Sequence, residues 1–270
     1  MRRLVPLSLW LDKYLEIARV MNYDVARDRA AAENLAEILK ARSIEPPLDD
    51  LKRLLFRRAV MVFGAGPTLD RHVDRLRRTF PEAFRWFTLT SADGATGALI
   101  ERGITPHIVV TDLDGDLDSI LSAARGGSLI VVHAHGDNVE KIASYMGRIL
   151  SATRRVLGTT QVEPVPPLQN FGGFTDGDRA VFMASSHGAS QIVMVGMDFG
   201  EVVGRRSKPW LRRNVAAKGD KLKKLKIAHD LVSWLAVNFN PRIYTVSSRA
   251  PPGTTRIRIE NLEEIVRCQP

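Results

Sequence analysis

Apolar residues follow two rhythms along this chain. Over residues 8–21 and again from about Tyr23 to Ala41 they recur every three or four positions, which predicts two amphipathic helices, the first with Ser8 as its N-cap. Asp24, Arg27, Asp28 and Arg29 then fall on what reads as the solvated face of the second. Pro46 and Pro47 close this helical unit.

From residue 59 the rhythm changes to short, unbroken apolar runs at 59–63, 86–90, 107–111, 129–133 and 192–196, with a last strand at 242–246. Runs without alternation suit strands covered on both faces. Helical stretches separate them, at 96–102, from about Leu117, from Thr175 or Asp176 through Ser190, at 222–239 and near 260–266. The expected fold is α/β, a doubly wound and mostly parallel sheet with an N-terminal helical cap. Residues 1–55 are expected to form the cap or small first domain, able to fold over a cleft, and residues 56–270 the α/β domain. The Pro- and turn-rich stretch 159–173 reads as a long loop at the domain edge.

Candidate chemistry gathers where predicted strands end, which in an open parallel sheet is where ligands bind. Asp93 follows one strand, and Asp112, Asp114 and Asp116 follow the next. Carboxylates this dense repel one another unless a cation or donors stand between them, so these four are the candidate ligands of a divalent metal. A capping role at the helix near Leu117 accounts for one Asp and leaves the others. Gly64-Ala-Gly-Pro67-Thr68 is a strand-to-helix turn that lets backbone approach an anion, although it lacks the third glycine of the dinucleotide fingerprint. His133 and His135 have the spacing of a zinc half-site without the remaining ligands; His135 and Asp137 read as phosphate or magnesium contacts and His133 as structural. In Gly172-Gly-Phe-Thr-Asp176-Gly-Asp178 the acids suit either a helix cap or the amidine edge of a heterocycle. Asp198 adds another carboxylate at a strand end.

Charge narrows the partner. Lys plus Arg number 39 against 30 Asp plus Glu, a net +9, which favours anionic ligands. The basic segments 204–214 and 218–226 could track a nucleic-acid backbone or reach a triphosphate. Only Trp210 interleaves the first of them and no nucleic-acid module accompanies it, which counts against nucleic acid. The single cysteine, Cys268, excludes a disulfide framework and a thiolate zinc site, and a reducing cytoplasm is the expected setting. No apolar run approaches a membrane span, and the start at Met1-Arg2-Arg3 leads into an amphipathic pattern rather than a signal peptide.

Taken together, Gly64-Ala-Gly-Pro-Thr-Leu, Ala92-Asp-Gly-Ala, Pro106-His-Ile-Val-Val-Thr-Asp-Leu-Asp-Gly-Asp, His133-Ala-His-Gly-Asp-Asn, Asn170-Phe-Gly-Gly-Phe-Thr-Asp-Gly-Asp-Arg-Ala and Gly196-Met-Asp-Phe-Gly resemble the archaeal 6-hydroxymethyl-7,8-dihydropterin diphosphokinase family over residues 60–200. The two Asp motifs also look like those of thiamin pyrophosphokinase. The resemblance implies transfer of diphosphate from ATP to a reduced pterin with release of AMP, in tetrahydromethanopterin or folate biosynthesis. It implies magnesium as cofactor on Asp93, Asp112, Asp114 and Asp116. Nucleotide contacts would come from Gly64, Gly66, Pro67, Thr68, Asp93, Gly94, His135, Asp137 and Asn138. Substrate contacts would come from Asn170, Gly172, Gly173, Phe174, Thr175, Asp176 and Asp198. Asp114 and Asp116 are the candidates to accept the hydroxyl proton. Two rival readings remain, a nucleotide-sugar glycosyltransferase using Asp112-Leu-Asp114 and a basic nucleic-acid-binding protein; the oligomeric state is open.

Overall fold

The computed structural model describes residues 4–267, with side chains through Ile265; Met1, Arg2, Arg3 and Cys268 lie outside the described residues. Three helices come first, α1 (Leu7–Met21), α2 (Val25–Ala41) and α3 (Leu48–Leu55). Strands and helices then alternate: β1 (Ala59–Phe63), α4 (Leu69–Thr79), α5 (Ala83–Trp86), β2 (Thr88–Ala92), α6 (Ala95–Ile100), β3 (Ile108–Thr111), α7 (Leu117–Arg125), β4 (Leu129–Ala134), α8 (Val139–Ala152), β5 (Val156–Thr160), α9 (Asp176–Ser186) and β6 (Gln191–Val195). A short antiparallel pair, β7 (Val202–Val203) and β8 (Val215–Ala216), brackets a 3-10 turn at Arg205–Ser207. The remaining elements are α10 (Gly219–Phe239), β9 (Ile243–Thr245), β10 (Thr255–Arg256), a second 3-10 turn at Ile259–Asn261 and α11 (Leu262–Arg267).

Eight strands form one sheet in the order β10-β9-β6-β1-β2-β3-β4-β5, and every pairing in it is parallel. The chain winds outward from β1 to β5, then returns to the far side of β1 to lay down β6 and its neighbours. The switch point therefore lies between β1 and β6, and the turns after both strands open into the same crevice.

Side-chain alternation along β1 divides the interior. Val60 and Val62 point into a core shared with Trp10, Leu35, Leu39 and Leu51, whereas Ala59, Met61 and Phe63 point into a second core with Leu69, Val73 and Leu76. This is why unbroken apolar runs were needed: both faces are covered by helices. The N-terminal helices are a layer on the sheet. Trp10 packs edge-on to Phe182 of α9, with ring centroids 5.8 Å apart.

Several boundaries differ from the sequence expectation. Helix α1 starts behind Pro6, not at a Ser8 cap, and Asp24 caps α2 by accepting from the Ala26 N–H at 2.9 Å. Pro46 and Pro47 close one helix but also lead into α3, because a proline ring is compatible with a first helical turn; Leu51 and Leu55 then insert fully into the core. Ala83–Trp86 forms a helical turn, which delays β2 to Thr88. Strand β5 and helix α8 are additional to the predicted elements. Asp28 is buried at 3% exposure rather than lying on a solvated face.

Candidate active site

At the carboxyl ends of β2 and β3, two turns carry non-glycine residues in the left-handed region, Asp93 at φ 43° and Leu113 at φ 65°. Such conformations cost energy and persist where the surroundings fix them. Here the Asp93 N–H donates to the Val110 carbonyl (2.7 Å), while Thr111 Oγ1 (2.7 Å) and the Gly115 N–H (3.0 Å) donate to Asp93 Oδ1. Gly115 is required at its position, since a Cβ there would stand 2.8 Å from that carboxylate. Asp112 takes the Asp114 N–H at 3.1 Å and faces His135 Nε2 at 3.5 Å.

A third acid joins them from another element. Asp93, Asp112 and Asp176, at the start of α9, each offer a carboxylate oxygen within 4.8 Å of the others. Burial, and then the Asp112 charge, push Asp93 up to about 6. Burial together with Asp112 and Asp93 raises Asp176 far above the carboxylate range, although Arg179 donates to it at 3.1 Å. Burial alone would raise Asp112 as well, but the hydrogen bond and charge of His135, with Lys208 and Arg179 behind it, bring it down to about 2. Three acids thus crowd one space and two of them are raised, an arrangement that could hold a cation.

These acids border a cleft of about 280 Å³. Its walls bring together many of the residues singled out above: Gly64, Gly66, Pro67, Asp93, Gly94, Asp112, Asp114, His135, Phe174, Thr175, Asp176 and Asp198. Asp114 lies there between two lysines, Lys208 and Lys141, apart from the triad. Asp116 is exposed and caps α7, accepting from the Ser119 N–H at 3.2 Å.

Other singled-out residues build the scaffold. Asn138 is buried and donates to the carbonyls of His133 (2.7 Å) and Asp112 (2.9 Å), and Asp137 is exposed beside it. Asn170 donates to Val162 O (2.8 Å) and accepts from the Gly172 N–H (3.0 Å). Gly172 and Gly173 have φ near +85° and +88°, and Cβ atoms there would collide with Phe182 and the Arg179 backbone, so they seat the loop on α9. Asp178 reaches back to the Phe174 N–H (2.6 Å) and the Thr175 N–H (2.8 Å) as part of a capping box. That Thr-x-x-Asp spacing, readable in sequence, assigns Asp178 to the cap and frees Asp176 for the cleft.

The glycine turn is more closed than its sequence implies. The Gly66 N–H donates to Gly196 O (2.8 Å), and Thr68 gives its N–H (3.0 Å) and hydroxyl (2.7 Å) to Asp198. Gly204 lies so close that a Cβ would sit 2.2 Å from Ala65 O. This turn shapes the wall of the crevice, with Asp198 held against the start of α4.

The basic segment resolves residue by residue. Lys208, Lys221 and Lys224 line the cleft, Arg205 and Arg206 pair with Asp70, and Lys223 pairs with Asp220. Lys221 has its pKa lowered by burial and by Lys208 and Lys224 nearby, and it makes no ion pair among the described residues. Sequence reasoning saw only the density of charge here, and it missed Arg179, Gln161 and Tyr23 as cleft residues.

A family model described as 6-hydroxymethylpterin diphosphokinase MptE-like matches residues 29–204. The chain is 44% identical over 238 residues to the 6-hydroxymethyl-7,8-dihydropterin pyrophosphokinase of Pyrococcus furiosus, across 88% of this chain and 97% of that one. It is 40% identical over 247 residues to the protein of the same name from Methanothermobacter thermautotrophicus, across 88% and 99%. Among solved structures, the MAf glycosyltransferase from Magnetospirillum magneticum AMB-1 superposes with a TM-score of 0.50 at 11% identity; the match covers 84% of this chain but 42% of that one, a likeness of fold alone. No described helix is long and apolar enough to cross a membrane. With its acidic strand ends and most of its length matched, this chain belongs to the 6-hydroxymethylpterin diphosphokinase MptE-like family.

Proposed function

We propose that this chain transfers diphosphate from ATP to the hydroxymethyl group of 6-hydroxymethyl-7,8-dihydropterin, releasing AMP. The observation that carries the reading is the triad Asp93, Asp112 and Asp176 facing a cleft lined by Lys208, Lys221 and Lys224, in a chain whose relatives bear that activity in their names. The donor set fits magnesium: carboxylate oxygens from three separate elements converge, and burial and the neighbouring acids push two of them up. Bound there, the ion would neutralise charge developing on the transferred phosphates.

The chain's own residues do the rest. Thr111 and Gly115 hold the Asp93 carboxylate in one orientation, and Arg179 holds Asp176. Lys221, without an ion pair of its own, and Lys208 and Lys224 supply cations to the polyphosphate. The pterin hydroxyl oxygen attacks the β-phosphorus, the bond from that phosphorus to the bridging α,β oxygen breaks, and AMP carries the electron pair away. Of the two acids weighed for the hydroxyl proton, Asp114 lines the cleft and Asp116 caps a helix, which favours Asp114. A loose transition state asks little of this base.

The test is incubation with magnesium, ATP and the pterin. AMP release that requires the pterin is the expected result; turnover only with a sugar nucleotide would transfer the assignment to a glycosyltransferase, which the fold likeness by itself does not favour.

A further inference from the structure

Helix α2 carries a carboxylate that the reaction does not use. Asp28 is 3% exposed, a costly place for a charge, and three donors converge on it. The Tyr14 hydroxyl and Gln161 Nε2 (2.9 Å) donate to Oδ2, and the Gly136 N–H donates to Oδ1 at 2.6 Å. From the preceding residue, Arg27 Nη2 donates to the Gly136 carbonyl at 3.1 Å. Both polar groups of Gly136 are thus held by α2, which approaches so closely that a Cβ on Gly136 would meet Arg27 Cβ at 2.9 Å.

Gly136 belongs to the turn that aims His135. The His135 N–H donates to Asn138 Oδ1 (3.0 Å), and the Asp137 N–H donates to His135 Nδ1 (3.3 Å). An Nδ1 that accepts places the ring proton on Nε2, the nitrogen facing Asp112 Oδ2 at 3.5 Å. We propose that Asp28 is a positioning residue: by clamping Gly136 it fixes the His135 ring and tautomer, and through them the orientation of Asp112 as a cation ligand. This rests on the reading of Asp112 as such a ligand. Residues that orient a ligand from behind commonly set metal affinity within ten- to a hundredfold. Asp28 also braces α1 through Tyr14, so a purely structural role is the alternative to beat.

Two readouts independent of turnover separate them. The first is the tautomer of His135 from the ¹⁵N–¹H correlation pattern of its imidazole at pH 8, assigned with His135→Gln. The second is Mn²⁺ affinity by electron paramagnetic resonance. Wild type is expected to show a single Nε2–H tautomer. Asp28→Asn should mix the tautomers and weaken Mn²⁺ binding about tenfold, whereas Tyr14→Phe should lower stability and leave both readouts as in wild type. A folded Asp28→Asn protein with wild-type tautomer and affinity overturns the proposal, as does a Tyr14→Phe variant that shifts them equally. If Asp28→Asn does not fold, Arg27→Ala removes the other clamp from an exposed position; a smaller shift in the same direction is expected, and no shift sinks the idea. Wild-type protein that fails to bind Mn²⁺ counts against the cation site itself, while the tautomer arm still decides whether Asp28 fixes His135.

Discussion

Asp70 and Asp93 are both half-buried or buried acids, and their surroundings are opposite. Asp70 meets Arg102, Arg205 and Arg206, each at 3.0 Å. Burial would raise its carboxyl, yet Arg206 and Arg205 outweigh burial and lower it. Asp93 meets two further acids, and burial first and the Asp112 charge second raise its carboxyl to about 6 against the hydroxyl and backbone N–H that donate to it. The first cluster completes its charge within the chain and acts as a brace, tying the turn at Arg205–Ser207 to α4 and α6. The second brings three carboxylates together, and in the proposed reading a cation completes it. Density of charged residues does not separate brace from site; the balance of signs at contact distance does.

The largest expected effect comes from removing a charge at the incomplete cluster. Asp112→Asn keeps shape and hydrogen-bonding size while deleting one of the three carboxylates, so AMP release should fall by roughly 10²–10³-fold, as for loss of one preorganised electrostatic group. Circular dichroism should be unchanged. Near-normal turnover at limiting magnesium would remove Asp112 from the proposed cation site.

Next come the residues that connect the two clusters. Lys208 follows the braced turn by one residue and reaches Asp114 in the cleft. Lys208→Ala should raise KM for ATP and lower kcat together by about 10–10²-fold, because a cation is lost from the polyphosphate path. Arg206→Ala leaves that cation in place but frees its turn from Glu101 and leaves Arg205 alone to hold it to Asp70. About a tenfold loss is expected there, accompanied by lower thermal stability, since a misplaced supporting loop costs less than a missing charge. Equal losses with unchanged stability in both variants would mean that the Asp70 cluster is itself part of the site.

The contrast also marks what sequence could disclose. The β1 run Ala59–Phe63 was legible to the residue because both its faces are buried, and Asp93 and Asp112 were legible because strand ends in a parallel sheet converge. Three acids spaced two apart after a strand look alike in sequence, but backbone geometry sends Asp116 to cap α7 and sets Asp114 between Lys208 and Lys141. Asp176 reads in sequence as a cap or a heterocycle contact, since its partners in the triad lie more than sixty residues away. Asp28 shows the same limit, because its burial depends on Gly136 and Gln161 arriving from β4 and β5. Lys221 and Lys224 could be told from their neighbours only by which side of α10 faces the cleft.

The last effect is on stability, and its sign differs between the clusters. Asp93 has a folded-state carboxyl raised from 3.8 to about 6, so the native protein holds its proton more tightly than the unfolded chain. Its favourable term is fully present below about pH 4 and is lost as pH rises through about 6. Asp70 is lowered, so its term is present above the ordinary carboxylate range and is lost as pH falls through its folded-state value. In metal-free protein, Asp93→Asn should therefore be more resistant to urea than wild type at pH 7.5, by on the order of 2–3 kcal/mol for a shift of about two units, with the gap closing by pH 4. Asp70→Asn should be less resistant at pH 7.5, its gap closing as acid protonates the wild-type carboxylate. Millimolar magnesium should stabilise wild type and erase most of the Asp93→Asn advantage, because an ion that binds only the native state supplies the missing charge. Urea curves at pH 4 and 7.5, with and without magnesium, check all of this. A metal-free Asp93→Asn protein no more stable than wild type at pH 7.5 would show that the incomplete cluster carries no unmet charge, and the two clusters would then differ in location but not in kind.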